Sequence, residues 1–219
     1  MPVIKTDEEL RDHQLKRLKW TVAHAYNGSS AYKKKMDDAG VKPGGIHPLD
    51  DLKRLPFKTS TDLQEGYPFP LLSVPFDKVV RIHASSGTTG KRKVLCYTQK
   101  DIDDWTRFFA RCYEMAQVNA EDRVQIAVGY GIWTAGISFQ MGCEAFGAMA
   151  IPAGPGNLDM QCQFLMDFQS TVMCCTASMG LLMAEEVNRR GIRDKINLKK
   201  MIFGSERSSD AMKNRIRDL

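Results

Sequence analysis

Residues 79–219 predict an α/β fold, a mainly parallel sheet flanked by helices, and three observations carry that prediction. Short apolar runs recur at 123–128 (RVQIAV), 148–152 (AMAIP), 171–175 (TVMCC) and 201–204 (MIFG). Between them lie segments of ten or more residues that read as helices, over 133–146, 157–168 and 178–190. Strands joined by such crossovers run parallel and right-handed. Residues 41–80, by contrast, carry Pro43, Pro48, Pro56, Pro68, Pro70 and Pro75, which forbid long regular elements there.

From the start of the chain, residues 7–40 read as helical, with Leu10, Leu15, Leu18 and Val22 on one face. Asn27-Gly28-Ser29-Ser30 divides this stretch into two helices, and Gly40 ends the second. The proline-rich segment is an extended arm with one short helix, capped by Thr59 or Ser60 ahead of Asp62 and Leu63. VVRIHA (79–84) and VLCYT (94–98) flank a polar loop and predict a hairpin. Thr98 opens a helix to about Gln117, with Asp101 in a weak capping box. A final helix starts at Ser208. The division expected is a helical and extended arm over 1–78 and a nucleotide-binding α/β subdomain over 79–219.

Composition narrows the function classes. Of 219 residues, 43% are hydrophobic and 26% charged, an ordinary globular balance. The 31 basic residues against 26 acidic ones are dispersed, with runs of only three at 33–35 and 91–93, so no nucleic-acid surface is expected. No apolar stretch is long enough to span a bilayer, and the polar N-terminus is not a secretory signal, which points to the cytoplasm. Cys96, Cys112, Cys143, Cys162, Cys174 and Cys175 form no CxxC pair and have no histidine at ligand spacing. Buried free thiols, rather than a metal site, are therefore expected.

Ser85-Ser86-Gly87-Thr88-Thr89-Gly90-Lys91 is the most informative segment. Four hydroxyls, two glycines and a lysine in seven residues can wrap an oligophosphate, because glycine frees successive N–H groups and hydroxyls add donors. It is not a Walker A loop: Ser85 and Arg92 stand where glycine and Ser or Thr are required, and a strand follows where a helix should. A plain hairpin tip is the other reading of the same residues. In a parallel sheet the ligand lies at the carboxyl ends of the strands. Ser85–Lys91, Gly129–Trp133, Ala153–Asn157, Thr176–Ser178 and Gly204–Glu206 are thus expected to share one rim.

SSGTTGK is similar to the phosphate-binding motif of the acyl- and aryl-CoA synthetase, luciferase and peptide-synthetase adenylation superfamily. LPFKTSTDLQEGYPFPLLSVP, RIHASSGTTGK and YTQKDIDDW, followed in order by GYGIWTAG, MDFQSTVMCCTAS and IFGSE, narrow the resemblance to the phenylacetate–CoA ligase branch, including coenzyme F390 synthetase-like members. The resemblance implies a ligase with ATP, Mg2+ and CoA as cosubstrates. An aryl carboxylic acid attacks the α-phosphorus to give acyl-AMP, and the CoA thiol then displaces AMP. It also implies that Ser85, Ser86, Gly87, Thr88, Thr89 and Gly90 hold phosphates with Lys91 nearby. Tyr130, Gly131 and Trp133 would line the aryl pocket, and Gly204, Ser205 and Glu206 would lie beside adenine and acyl group. Departures fall at Arg92, at Trp133, at Ala177 of Thr176-Ala177-Ser178, and at Arg207-Ser208 after Glu206.

The family continues past Leu219 to its AMP- and Mg2+-contacting motif, its ribose-binding acid, a hinge and a lysine-bearing C-terminal domain. The expectation is therefore an incomplete N-terminal domain with no catalytic residue of its own, inactive alone. It would associate with the missing C-terminal half or with a second copy through an unpaired sheet flank. The alternatives are a non-catalytic nucleotide-binding half-domain or one part of a split ligase.

Overall fold

The protein is described by a computed structural model over residues 3–87 and 90–219. It divides into two compact units, Met1–Gln99 and Lys100–Leu219. The hairpin of residues 79–98 groups with the helical arm in the first unit.

In the first unit, helix α1 (Asp7–Gly28) starts at Thr6, whose hydroxyl accepts the Glu9 N–H at 3.1 Å while the Glu9 carboxylate accepts the Thr6 N–H at 3.3 Å. Ser29 caps α2 (Ser30–Asp38) by accepting the Tyr32 N–H at 3.3 Å. Val22, Met36, Val41 and Ile46 form the core here, with Leu18, Tyr26, Tyr32 and Leu55 packed on it. Of the expected apolar face only Val22 is buried, and Leu10 is exposed, because α2 covers only the second half of α1.

The prolines do exclude long elements, but three 3₁₀ turns form at Pro43–Gly45, Leu49–Arg54 and Phe76–Lys78. Helix α3 (Ser60–Glu65) is capped by Thr59 in a reciprocal pair with Asp62. The Lys35 ammonium, 2.6 Å from Asp62, together with the Thr59 N–H holds that carboxyl down at about 2. Strands β1 (Val79–Ala84) and β2 (Val94–Thr98) pair antiparallel as the predicted hairpin.

The second unit is the parallel sheet. After α4 (Gln99–Met115) come β3 (Arg123–Ile126), α5 (Ala135–Phe146), β4 (Met149–Ile151), α6 (Leu158–Asp167), β5 (Val172–Thr176), α7 (Ala177–Arg190), β6 (Lys200–Gly204) and α8 (Asp210–Asp218). The strand order is β4-β3-β5-β6, all parallel. β5 is the unbroken apolar run VMCC because both its faces are covered. Val172 and Cys174 join Val124, Ile126, Tyr113 and Cys143 on the α4–α5 side. Met173 and Cys175 join Cys162, Leu165, Met183 and Val187 on the α6–α7 side. Burial pushes the Cys143, Cys174 and Cys175 thiols up to about 12, so they are inert packing groups. The sequence leaves β3 for β4 on one side and returns to β5 on the other. The direction of winding therefore reverses between β3 and β5, the switch point where such sheets hold ligands. No helix among the described residues is long and apolar enough to cross a membrane.

Candidate functional site

The phosphate-loop candidates lie in the first unit. Gly87 has φ +78° and Gly90 φ +128°, both in the region that side chains resist, so the glycines are there for conformation. Gly90 N–H donates to the Gly87 carbonyl at 3.3 Å, closing the turn. Ser85 fastens the hairpin: its N–H donates to the Lys93 carbonyl at 3.0 Å, and its hydroxyl accepts the Lys93 N–H at 3.0 Å, which leaves the O–H to donate elsewhere. Ser86 is exposed at the tip. Thr88 and Thr89 lie outside the described residues. The Lys91 ammonium sits 6.0 Å from the Tyr67 ring centroid, and the Lys91 carbonyl accepts from Gln64 Nε2 at 3.0 Å. Gln64 of α3 thus braces the loop, a role that no local pattern around it announces.

In the second unit, the segments after β3, β4, β5 and β6 meet at the carboxyl edge of the sheet. Gly131 turns the chain at φ +80°, and the Gly136 N–H donates to the Gly129 carbonyl at 2.9 Å. The Tyr130 ring lies so close to α5 that a Cβ on Gly136 would come within 2.6 Å of it. The buried Tyr130 hydroxyl has no hydrogen-bond partner among the described residues, and burial raises its pKa to about 12. Tyr130 therefore faces the core with its polar end, whereas Trp133 is 47% exposed. Glu206 and Ser178 join the ends of β5 and β6. The Ser178 N–H donates to one carboxylate oxygen at 2.8 Å and its hydroxyl to the other at 2.9 Å, with the Thr176 hydroxyl 3.1 Å from that of Ser178. Ser205 holds φ +69° without being glycine, at the bend that aims Glu206. Gly204 closes β6, paired with Thr176.

The Ser178 N–H, then its hydroxyl, hold the Glu206 carboxyl below the ordinary glutamate range. A lowered folded value means the contact stabilises fully above the unfolded pKa and is lost as pH falls through the folded one. The Glu206 carboxyl resonance should therefore titrate below that of unfolded glutamate. Glu206→Gln should flatten the acid-side loss of urea midpoint, and an ordinary titration would show that the Ser178 link is not formed in solution.

Sequence reasoning missed a buried amide chain behind this rim. Gln125, Gln161 and Ser170 are all fully buried. Gln161 sits in the Leu158–Cys162–Leu165 apolar phase of α6, so a polar residue on a core stripe was the available signal.

The fold of this chain is that of acyl-CoA ligases. It superimposes on a structure of 2-hydroxyisobutyryl-CoA ligase in complex with 2-HIB-AMP and CoA, with TM-score 0.89 and 22% identity, over 100% of this chain and 55% of that one. By sequence it is similar to phenylacetate–coenzyme A ligases: 41% identical over 211 residues to that of Escherichia coli K12 and 42% over 209 residues to that of Aromatoleum evansii. Each match covers 95% of this chain and 48% of the relative, so the chain spans about half the length of the curated relatives it matches. No family model matches the chain.

Proposed function

We propose that this chain is the phosphate-gripping and acyl-walling part of an AMP-forming aryl-acid–CoA ligase. The single observation that carries the reading is the 41% identity to a phenylacetate–CoA ligase along 95% of the chain. In this reading Ser86, Gly87, Gly90 and the two threonines between them wrap the β- and γ-phosphates of ATP, with Ser85 fixing the loop's base and Lys91 adding a screened charge. Positioning and charge neutralisation are what such a loop contributes to adenylation. Trp133 and Gly131 form the exposed wall of the acyl site, and Tyr130 supports that wall from behind. Gly204, Ser205 and Glu206 border the adenylate, with Glu206 fixed by Ser178.

Mg2+ fits as an ion carried on the nucleotide. Among the described residues no three acidic, histidine or cysteine side chains cluster to cage a metal, and Mg2+ commonly binds through substrate phosphates with few protein ligands. CoA is the acceptor in the second step. The remaining groups come from polypeptide corresponding to the other half of the relatives, and the site of action is the cytoplasm.

The test joins this chain to the half of the E. coli relative that it does not match, and follows exchange of labelled pyrophosphate into ATP. Exchange that depends on an aryl acid is the expected result. Exchange indifferent to the carboxylate, or absent with every aryl acid, would sink the reading.

A further inference from the structure

The fully buried side chains of Gln125, Gln161 and Ser170 are linked in one direction. The Ser170 hydroxyl donates to Gln125 Oε1 at 2.8 Å, and Gln125 Nε2 donates to Gln161 Oε1 at 2.5 Å and to the Gln161 carbonyl at 3.2 Å. With its oxygen taken, the Gln161 amide must turn its NH2 the other way. It donates there to the Gly154 carbonyl at 2.7 Å and the Gly156 carbonyl at 3.3 Å. These are the carbonyls of the segment after β4. That segment is bent by Gly154 at φ +74°, Gly156 at +72° and Asn157 at +46°.

The packing of α6 on the sheet does not by itself call for this chain of amides. Leu158, Cys162 and Leu165 already anchor α6 to the sheet. Apolar groups of the same shape at buried polar positions are often neutral or stabilising. What the amides add is direction: a backbone with three left-handed residues in four has many alternatives, and two bonds to its carbonyls select one. Gly154 N–H also donates to the Ile126 carbonyl at 2.9 Å, so the segment is held from both the strand and the helix.

We infer that Gln161 is a positioning residue, oriented by Gln125, that fixes the Ala153–Asn157 segment at the carboxyl edge of the sheet and so shapes the acyl-adenylate site. The part of this inference that concerns the ligand rests on the ligase reading above. The restraint itself rests on the bonds just described.

The decisive variant is Gln161→Met in the 219-residue chain, which keeps length and loses both donors. Amide hydrogen exchange by NMR should show Ala153 and Gly154, whose N–H groups bond the Ile151 and Ile126 carbonyls, exchanging at least tenfold faster, with β3 and β5 amides unchanged. In the protein formed by joining this chain to the unmatched half of the E. coli relative, affinity for an unreactive sulfamoyl mimic of phenylacetyl-adenylate should fall about tenfold in calorimetry. Should Gln161→Met not fold, Gln125→Met, which removes the orienting donor together with the acceptor of the Ser170 hydroxyl, should loosen the same two amides. Unchanged exchange at these residues overturns the inference, as does equal acceleration across the sheet, which would mean a packing role alone. A loosened segment with unaltered mimic affinity removes the site-shaping role. If the joined protein with wild-type Gln161 does not bind the mimic, the ligase reading fails, and the restraint is still decided by exchange.

Discussion

Valine in place of Gly87 is expected to lower the adenylation half-reaction by about 100-fold or more in a ligase containing this chain, since each charge-assisted hydrogen bond lost to a phosphate oxygen is worth about 1.5–3 kcal/mol and the proposed grip draws on several. Gly87 stands at φ +78°, where a β-branched residue is a genuine outlier. Its new Cβ would also meet Arg92 Cγ at 2.9 Å and the Gly90 carbonyl oxygen at 3.1 Å. The arginine can swing away. The carbonyl belongs to the turn and cannot yield without re-aiming the backbone N–H groups beside it.

Lys91→Ala, by contrast, should cost less than about tenfold, because an exposed cation acting alone is screened within a Debye length of roughly 8–10 Å. Thiolysis of a supplied acyl-adenylate should be spared in both variants. A Lys91→Ala defect larger than that of Gly87→Val would mean the lysine, not the loop backbone, grips the nucleotide. Because the loop is an exposed turn, thermal stability should barely change in either protein, which separates loss of grip from loss of fold.

How much of this was legible in the chain follows from the range of each interaction. VVRIHA and the unbroken apolar VMCC are local patterns, and each became the strand it predicted. The capping of α3 by Thr59 was equally local. The 3₁₀ turns at 43–45, 49–54 and 76–78 were not legible, since a single turn has no periodicity to detect. Nor were the long-range partners. Gln64 reaches Lys91, and Gln161 reaches back to Gly154 and across to Gln125, through contacts fixed only by the fold. Tyr130 shows the same limit at the site. Its place after β3 could be read from the motif, but the inward aim of its hydroxyl depends on how closely α5 approaches at Gly136.

Close approach of that kind also sets the largest stability effect expected in the second unit. Gly142, in the middle of α5, is buried against α4. A Cβ there would lie 2.3 Å from Phe109 Cβ, 2.9 Å from the Phe109 carbonyl carbon and 3.0 Å from the Ala110 nitrogen. Alanine is the better helix former by about 1 kcal/mol, so on an open helix Gly142→Ala would stabilise. Here two of the three clashing atoms are backbone of the neighbouring helix, so α4 and α5 must separate. Overpacking of this sort costs about 1–3 kcal/mol, occasionally more, and should exceed the propensity gain. Separation would also disturb Phe139, whose ring meets Phe109 edge-on at 5.2 Å.

Gly180→Ala in α7 supplies the comparison. Its Cβ would meet Phe203 Cε1 at 2.4 Å and Cζ at 3.0 Å, then Cys175 Sγ at 3.4 Å, all side-chain atoms. The half-exposed Phe203 ring can tilt, so the loss should be clearly smaller than at Gly142. Urea denaturation of the two variants decides the matter: a Gly142→Ala midpoint at or above wild type would show that α4 and α5 do not meet as closely as their backbones indicate.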